Sequence, residues 1–119
     1  FSIIQGDWMS AFAPESFDLI VSNPPYIPNL DITTLSPEVK NHDPILSLSG
    51  GNDGLDCYKK IILDLKIHLK SHSHAFLEIG IGQLSDLSRL VDESNLCLCD
   101  SEADIAGIPR VVDISRGDK

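Results

Sequence analysis

The sequence predicts an α/β fold built on a mostly parallel sheet, and three observations lead to this prediction. Short apolar runs, each suited to a strand buried on both faces, recur along the 119 residues. Segments with apolar residues at helical spacing separate several of these runs. Strand, helix, strand, helix, strand is the element order of a doubly wound sheet. The last two predicted strands are joined by a loop alone, which favours an antiparallel last pair.

The first half of the chain contains two predicted strands and a long stretch interrupted by prolines. Residues 1–5 are expected to form one strand. Residues 17–22 are expected to form a second, central strand, because apolar residues run without polar interruption at 19–21. Pro24 and Pro25 cannot donate to a sheet ladder, so this strand must end at residue 22 or 23. The long stretch that follows is typical of a functional loop.

The second half of the chain alternates helices and strands. A helix is expected after the glycine-rich bend at 50–54, because five apolar residues recur at i, i+3 and i+4 spacings. These residues are Leu55, Tyr58, Ile62, Leu65 and Leu69. The segments that follow are predicted as a turn at 71–74, a strand at 75–79, a helix at 83–94, a strand at 95–99, an acidic loop at 100–104 and a strand at 110–115.

The charge of the chain argues against two classes of partner. Eighteen acidic residues against nine basic ones give a net charge of −9. Such a surface repels phosphate backbones, so direct nucleic-acid binding is not expected. No apolar run reaches the roughly 18 residues that cross a membrane, so a membrane partner is not expected either.

The cysteines and histidines are not expected to bind a metal. Cys97 and Cys99 alternate with leucines, which favours packing in a strand, and no histidine stands near them in the sequence. His72 and His74 have no acidic or thiol neighbour in the sequence and are expected to be solvated turn residues. An odd number of cysteines without a metal-type pattern fits a reducing compartment, so we expect a cytoplasmic protein.

Polar and aromatic residues follow directly after both predicted strands of the first half. Asn23 precedes Pro24, which restricts the Asn23 backbone to extended conformations. Because ligands of open parallel sheets bind beyond the carboxyl ends of the strands, this carboxamide is expected at a binding crevice. Asp7 and Trp8 follow the first strand and could contact the polar edge and the flat face of a ligand. The alternative is a simple turn in which Trp8 packs on the core.

The segment Asn23-Pro24-Pro25-Tyr26 resembles the N-P-P-Y motif of S-adenosylmethionine-dependent methyltransferases that modify planar nitrogens. Further motifs narrow this resemblance, and they are Gly6-Asp7-Trp8, Asp43-Pro44, Gly50-Gly51, Asp53-Gly54-Leu55 with Tyr58, Leu77-Glu78-Ile79-Gly80 with Gln83, and Asp104-x-Ala106-Gly107-x-Pro109-Arg110-Val111-Val112. Together they resemble the protein-(glutamine-N5) methyltransferases of the HemK/PrmC family, which act on peptide chain release factors.

The resemblance implies a Rossmann-like class I S-adenosylmethionine-dependent methyltransferase sheet, of which residues 1–119 would form the C-terminal half. In the family, an N-terminal helical domain and a glycine-rich cofactor loop precede this region. Residues 1–119 are therefore expected to be a partial catalytic domain that is inactive by itself. The sequence departs from the family at Asp43-Pro44, where Glu-Pro is usual.

The resemblance also implies roles for single residues. Asn23 and Pro24 would be catalytic, because their side-chain and main-chain oxygens can accept the two N–H groups of a substrate amide. Pro25 would fix the turn, and Tyr26 would lie against the planar amide.

The cofactor and the partner also follow from the resemblance. Trp8, with Asp7 and Asn23, would contact S-adenosylmethionine, although the main cofactor loop would lie upstream of Phe1. The expected partner is a peptide chain release factor. The exposed edge of a partial sheet makes self-association a further expectation.

Two other functions remain open at this point. Glu78-Ile79-Gly80-Ile81-Gly82 resembles the start of a nucleotide-binding glycine loop, which would make the chain a permuted N6-adenine DNA methyltransferase. The position that should hold a third small residue is Leu84 or Ser85, and the acidic surface does not suit DNA. The other alternative is a truncated domain that serves as a non-catalytic interaction module.

Overall fold

The computed structural model describes residues 2–24 and 54–117 of the chain. In these ranges the elements are β1 (Phe17–Ser22), α1 (Asp56–His68), β2 (Leu69–Glu78), α2 (Leu84–Glu93), β3 (Cys97–Ala103) and β4 (Pro109–Ser115). Strands and helices alternate through α2, and the last two strands follow without a helix between them. The predicted α/β fold is confirmed.

The four described strands form one sheet in the order β1-β2-β4-β3. β1 pairs with β2 in parallel, and β4 pairs antiparallel with both β2 and β3. β1, β2 and β3 therefore run in one direction, and β4 is the reversed strand of this sheet. The predicted antiparallel last pair is confirmed.

The core lies between the sheet and the two helices. The five residues predicted for the inner face of α1 are all buried, although Leu69 begins β2 rather than ending the helix. Leu87 and Val91 of α2 are fully buried, and Leu84 and Leu90 pack beside them at partial exposure. Period-3.6 apolar spacing thus identified the covered face of each helix correctly.

The strand predicted at residues 1–5 is wrong for the described residues 2–5. These residues have no strand partner among the described ranges, and Ile3 and Ile4 are 88% and 60% exposed. A strand exists only through hydrogen bonds to a neighbour, and an apolar sequence cannot supply that neighbour by itself.

The turn predicted at residues 71–74 is also wrong, because β2 begins at Leu69 directly after α1 and includes this segment. A local turn is nevertheless built into the strand. Phe17 pairs with Leu69 and Leu19 pairs with His74, so β2 advances five residues while β1 advances two. His72 takes a left-handed φ of 62° within the extra residues. The residues predicted to form a turn therefore form a bulge, and the strand continues beyond it.

The acidic loop predicted at residues 100–104 is mostly the second half of β3. Asp100 pairs with Asp113 and Glu102 pairs with Val111. Acidic residues have low β propensity, but cross-strand pairing decides the conformation of an edge strand more strongly than propensity. Exposed charges on such a strand also discourage pairing with another chain.

Candidate active site at the end of strand β1

The predicted catalytic pair lies directly beyond β1. Ser22, the last residue of β1, pairs with Leu77, so the carboxyl ends of β1 and β2 lie side by side. Asn23 is exposed, and Pro24 is buried. In the described part of the chain, the Asn23 side chain has no hydrogen-bond partner. The carboxamide is thus available to a ligand, while the buried proline that follows it anchors the backbone. Pro25 and Tyr26 lie outside the described residues.

Asp7 and Trp8 lie in a turn rather than on the core. The Asp7 carbonyl accepts hydrogen bonds from the Ser10 amide at 3.2 Å and from the Ser10 hydroxyl at 2.8 Å. Trp8 has a φ of 53° and is 40% exposed. A bulky residue in the left-handed region is uncommon, and such backbone strain concentrates at functional sites. The turn leaves the indole partly exposed.

An apolar cavity of about 420 Å³ connects this turn with the end of β1. Its walls include Trp8, residues 19–22 of β1, and Ile61 and Asp64 of α1. This volume is within the roughly 300–1,000 Å³ of small-molecule sites. The buried Asp64 Oδ2 has no hydrogen-bond partner in the described ranges. An aromatic face and mostly apolar walls in a cavity of this size suit a planar ligand group.

The glycine turn after β2 has a structural role. The Gln83 Oε1 atom accepts a hydrogen bond from the Gly80 amide at 2.9 Å and lies 3.0 Å from the Tyr58 hydroxyl. The Gln83 side-chain amide donates to the Gly54 carbonyl at 3.3 Å. Gly80 thus uses its amide within the protein instead of offering it to a phosphate. This observation weighs against the permuted nucleotide-binding loop.

Sequence reasoning matched Gln83 to a family motif but gave it no role. The structure shows that this buried side chain joins Gly80, two residues after β2, to Gly54, two residues before α1. A glutamine that interrupts an apolar stretch beside a glycine turn is a usable signal, because buried amides are nearly always hydrogen-bonded.

The motif near the chain end builds the turn between β3 and β4. Asp104 Oδ1 accepts hydrogen bonds from the Ala106 and Ile108 amides at 2.9 Å and 3.0 Å. Its Oδ2 accepts one from Arg110 Nε at 2.9 Å. The Arg110 hydrogen bond, with those of the turn, lowers the pKa of the Asp104 carboxyl below its ordinary value. This motif supports the scaffold and leaves the end of β1 as the candidate site.

The expectation that His74 is a solvated turn residue is wrong. Its Nδ1 lies 2.7 Å from Asp113 Oδ1, and Cys99 approaches the same atoms. The sequence concealed this group because its members come from three different strands. A separate finding is that neither described helix has the length and hydropathy needed to span a bilayer.

Three curated relatives of this chain carry the name release factor glutamine methyltransferase. The relative from Geobacter sulfurreducens is 38% identical over 111 residues, which are 93% of this chain and 39% of the relative. The relative from Bradyrhizobium diazoefficiens is 46% identical over 97 residues, or 81% of this chain and 33% of the relative. The relative from Agrobacterium fabrum is 39% identical over 116 residues, or 98% of this chain and 40% of the relative.

The similarity covers nearly the whole chain but a smaller share of each relative. The chain spans about two fifths of the length of the curated relatives it matches. No family model matches it. The parallel pairing of β1 with β2 and the reversed strand β4 agree with the fold that the motifs implied. Over the segment that it spans, the chain is 38–46% identical to proteins named release factor glutamine methyltransferase, in agreement with the HemK/PrmC resemblance of its motifs.

Proposed function

We propose that this chain supplies the substrate-amide side of an active site that methylates a glutamine of a peptide chain release factor. The observation that carries the proposal is the exposed Asn23 carboxamide, placed between β1 and the buried Pro24. Support comes from relatives at 38–46% identity whose name states this activity. The methyl acceptor is the side-chain amide nitrogen of the glutamine.

An amide nitrogen is a poor nucleophile because its lone pair is delocalised into the carbonyl group. The protein must therefore hold that nitrogen at near-attack distance from the methyl group of S-adenosylmethionine, in line with the bond that joins this methyl group to sulfur. The Asn23 Oδ1 atom accepts one N–H of the substrate amide, and the Pro24 carbonyl oxygen accepts the other. Two acceptors fix the orientation of the NH2 group more tightly than one.

The same two oxygens stabilise the transition state. As the lone pair of the nitrogen forms the new N–C bond and the bond from the methyl group to the sulfonium sulfur breaks, positive charge grows on nitrogen, and both N–H bonds become stronger donors. The sulfur keeps the electron pair and leaves as the thioether of S-adenosylhomocysteine. Interactions that strengthen in this way lower the barrier, whereas uniform binding does not. The methylated nitrogen then releases one proton to solvent, so no strong base is needed during methyl transfer.

The cavity beside β1 would bind the adenosyl group of S-adenosylmethionine, which supplies an electrophilic methyl group when bound. Trp8 lines the cavity and would offer its indole face to an aromatic ring. Asp7, in the same turn, would offer a carboxylate to hydroxyl or amino groups, and Asn23, the residue after the cavity-lining Ser22, would border both ligands. Binding of this molecule also draws on family segments that this chain does not span.

The substrate side would be completed by Pro25 and Tyr26, with the Tyr26 ring against the planar amide. A release factor is the protein partner, and direct nucleic-acid contact is not part of the proposal. Because release factors act in translation, the reaction takes place in the cytoplasm. Free cysteines at positions 57, 97 and 99 fit that reducing compartment.

The test replaces Asn23 in the intact protein. With labelled S-adenosylmethionine and a release factor, we expect Asn23→Ala to lower the turnover number by about 10²–10³-fold, the typical cost of removing one transition-state hydrogen-bonding group. The affinity for S-adenosylmethionine, measured by calorimetry, should change far less. Pro24 acts through its backbone, so a side-chain substitution at that position cannot test its carbonyl.

Asn95→Gly is the matched control, because it removes another exposed carboxamide at a left-handed φ of 60° that glycine tolerates. Turnover of this variant should equal that of the unmodified protein. Unchanged turnover in Asn23→Ala would contradict the role of the amide. Transfer of label to adenine-containing DNA, with none to the release factor, would contradict the glutamine substrate and support the permuted DNA methyltransferase hypothesis.

A further inference from the structure

Three strands bring a histidine, a carboxylate and a thiol together on one side of the sheet. His74 comes from β2, Asp113 from β4 and Cys99 from β3. One potential ligand atom from each of these three residues lies within 4.8 Å of the other two. A fourth donor is close, since Cys97 Sγ lies 3.8 Å from Cys99 Sγ. The mechanism of methyl transfer uses none of these side chains.

Strand register explains why the group forms. His74 of β2 and Cys97 of β3 both pair with Ser115 of β4, and side chains of directly paired residues point to the same face. The register between β3 and β4 shifts at Cys99. Cys99 is the extra residue between Leu98, which pairs with Ile114, and Asp100, which pairs with Asp113, so it lies next to Asp113 in the ladder.

The face that carries this group is open to solvent. In β2, Ala75 and Leu77 are fully buried on the helix-covered side, whereas His74 and Phe76 on the opposite side are half-buried. The side chains of His74 and Asp113 are 45% and 21% exposed. An ion can therefore reach the donors from solvent without any opening of the core.

We propose that His74, Cys99 and Asp113 bind Zn²⁺ and that Cys97 supplies the fourth ligand. Imidazole nitrogen, thiolate sulfur and carboxylate oxygen are the donors that zinc takes in proteins. Ca²⁺ and Mg²⁺ require oxygen ligands and do not suit a site with sulfur and nitrogen donors. Each bound thiol loses its proton to solvent.

The spacing of the two sulfur atoms fits tetrahedral coordination, and Cys97, which is outside the group of atoms that lie within 4.8 Å of one another, must move toward that group to bind the ion. Two thiolates bound at about 2.3 Å in a tetrahedral site lie about 3.8 Å apart, and the two sulfur atoms are 3.8 Å apart. The 2.7 Å between His74 Nδ1 and Asp113 Oδ1 is a hydrogen-bond length. It must increase by about 0.7 Å for both atoms to bind one ion at about 2.0–2.1 Å, a shift within reach of side-chain rotation.

The chemistry of the site is structural rather than catalytic. Four protein ligands close the coordination sphere, and closed zinc sites contribute to folding stability. The ion would join β2, β4 and β3 across one face of the sheet, on the side that no described helix covers. It would therefore hold the edge strand β3 in place in the way that the core does on the other side.

The test is a Co²⁺ titration of the intact protein, made metal-free and kept reduced with a phosphine. One equivalent should bind with the visible absorption of tetrahedral Co²⁺ and a thiolate-to-metal charge-transfer band. One equivalent of Zn²⁺ should displace it. A chromophoric chelator in competition then gives the Zn²⁺ affinity.

Variants locate the site. Cys99→Ser, Asp113→Asn and His74→Gln should each weaken Zn²⁺ binding by more than about 100-fold, since even loss of a residue that supports a ligand costs 10–100-fold. Cys97→Ser should reduce the charge-transfer intensity and leave weaker binding. Cys57→Ser and His72→Gln are the matched controls, because they remove a thiol and an imidazole outside the group.

The readout also distinguishes folding from coordination. Circular dichroism of each metal-free variant should match that of the unmodified protein, and His74→Gln provides a second measurement if Cys99→Ser unfolds. Co²⁺ without a charge-transfer band, or full binding in all three ligand variants, overturns the proposal. The proposal is also overturned if Cys57→Ser abolishes Zn²⁺ binding while Cys99→Ser retains the Zn²⁺ affinity of the unmodified protein.

Discussion

The two edges of the described sheet differ in chemistry. On edge strand β3, Asp100 and Glu102 are exposed and charged. On edge strand β1, Leu19 and Val21 are 56% and 71% exposed. Charges and bulges on an edge strand prevent pairing with another chain, whereas exposed apolar residues favour contact. The β3 edge therefore resembles a solvent-exposed protein surface, and the β1 edge resembles a surface that contacts another segment or molecule.

This difference places the proposed chemistry at the apolar edge. Asn23 follows β1, and the cavity that includes Trp8 lies along the same strand. A methyl-transfer site needs a water-poor environment, because hydrogen bonds to a developing charge are stronger where water is excluded. Apolar residues on β1 can provide that environment once a ligand or a further protein segment covers them.

The largest expected effect compares two neighbouring residues of β1. Ile20 packs against the core, whereas Val21 points away from it. We expect Ile20→Ala to lower the free energy of unfolding by about 2 kcal/mol, the low end of the core range because Ile20 is only half-buried. Val21→Ala should change it by less than about 0.5 kcal/mol. Urea unfolding followed by circular dichroism measures both.

An equal loss of stability in the two variants would break the comparison. It would mean that a segment outside the described residues already covers Val21. The β1 edge would then be part of a core, and the same segment would also cover Leu19.

Sequence reasoning succeeded where one local rule decides the structure. The buried faces of α1 and α2 follow from apolar spacing, and the end of β1 follows from Pro24 and Pro25. It failed where a partner strand decides: β3 runs further than predicted because its acidic residues pair with β4. Pairing across a sheet is a long-range property that a window of sequence does not contain.

The candidate sites divide in the same way. Asn23 could be placed because a strand end and a proline are local signals. The group around His74 could not, because Cys99 and Asp113 meet it only through the order and pairing of three strands. Trp8 was left open between a ligand contact and a core residue, and its role as a ligand contact stays a prediction.

A smaller effect concerns self-association through the β1 edge. We expect Val21→Lys to weaken self-association by about tenfold, because a lysine on an edge strand opposes burial. Analytical ultracentrifugation over a concentration series measures the change. Glu102→Gln raises the net charge by the same amount on the β3 edge and should leave association unaltered. Equal effects of the two variants would assign the association to net charge rather than to the β1 edge.

The smallest effect lies in the turn that joins β3 to β4. Because hydrogen bonding to Arg110 and to the turn lowers the pKa of Asp104 below 3.8, the folded state favours the carboxylate. The stabilisation is fully present above that pH and is lost as pH falls through the lower folded-state pKa. Asp104→Asn keeps an acceptor for the Ala106 and Ile108 amides but removes the charge.

The melting temperature of Asp104→Asn should therefore be slightly lower than that of the unmodified protein near neutral pH, and the difference should shrink in acid. The pair is partly exposed, with side-chain exposures of 33% for Arg110 and 32% for Asp104, so the effect is small. In an Arg110→Gln background the substitution should cost less, because the main cause of the shift is gone. A difference that stays constant across the acid range would show that the turn depends on the shape of Asp104 rather than on its charge. The stability of the β3 edge would then come from the backbone geometry of its turn. In that case only the side chains of residues 100–102 would distinguish the charged β3 edge from the apolar β1 edge.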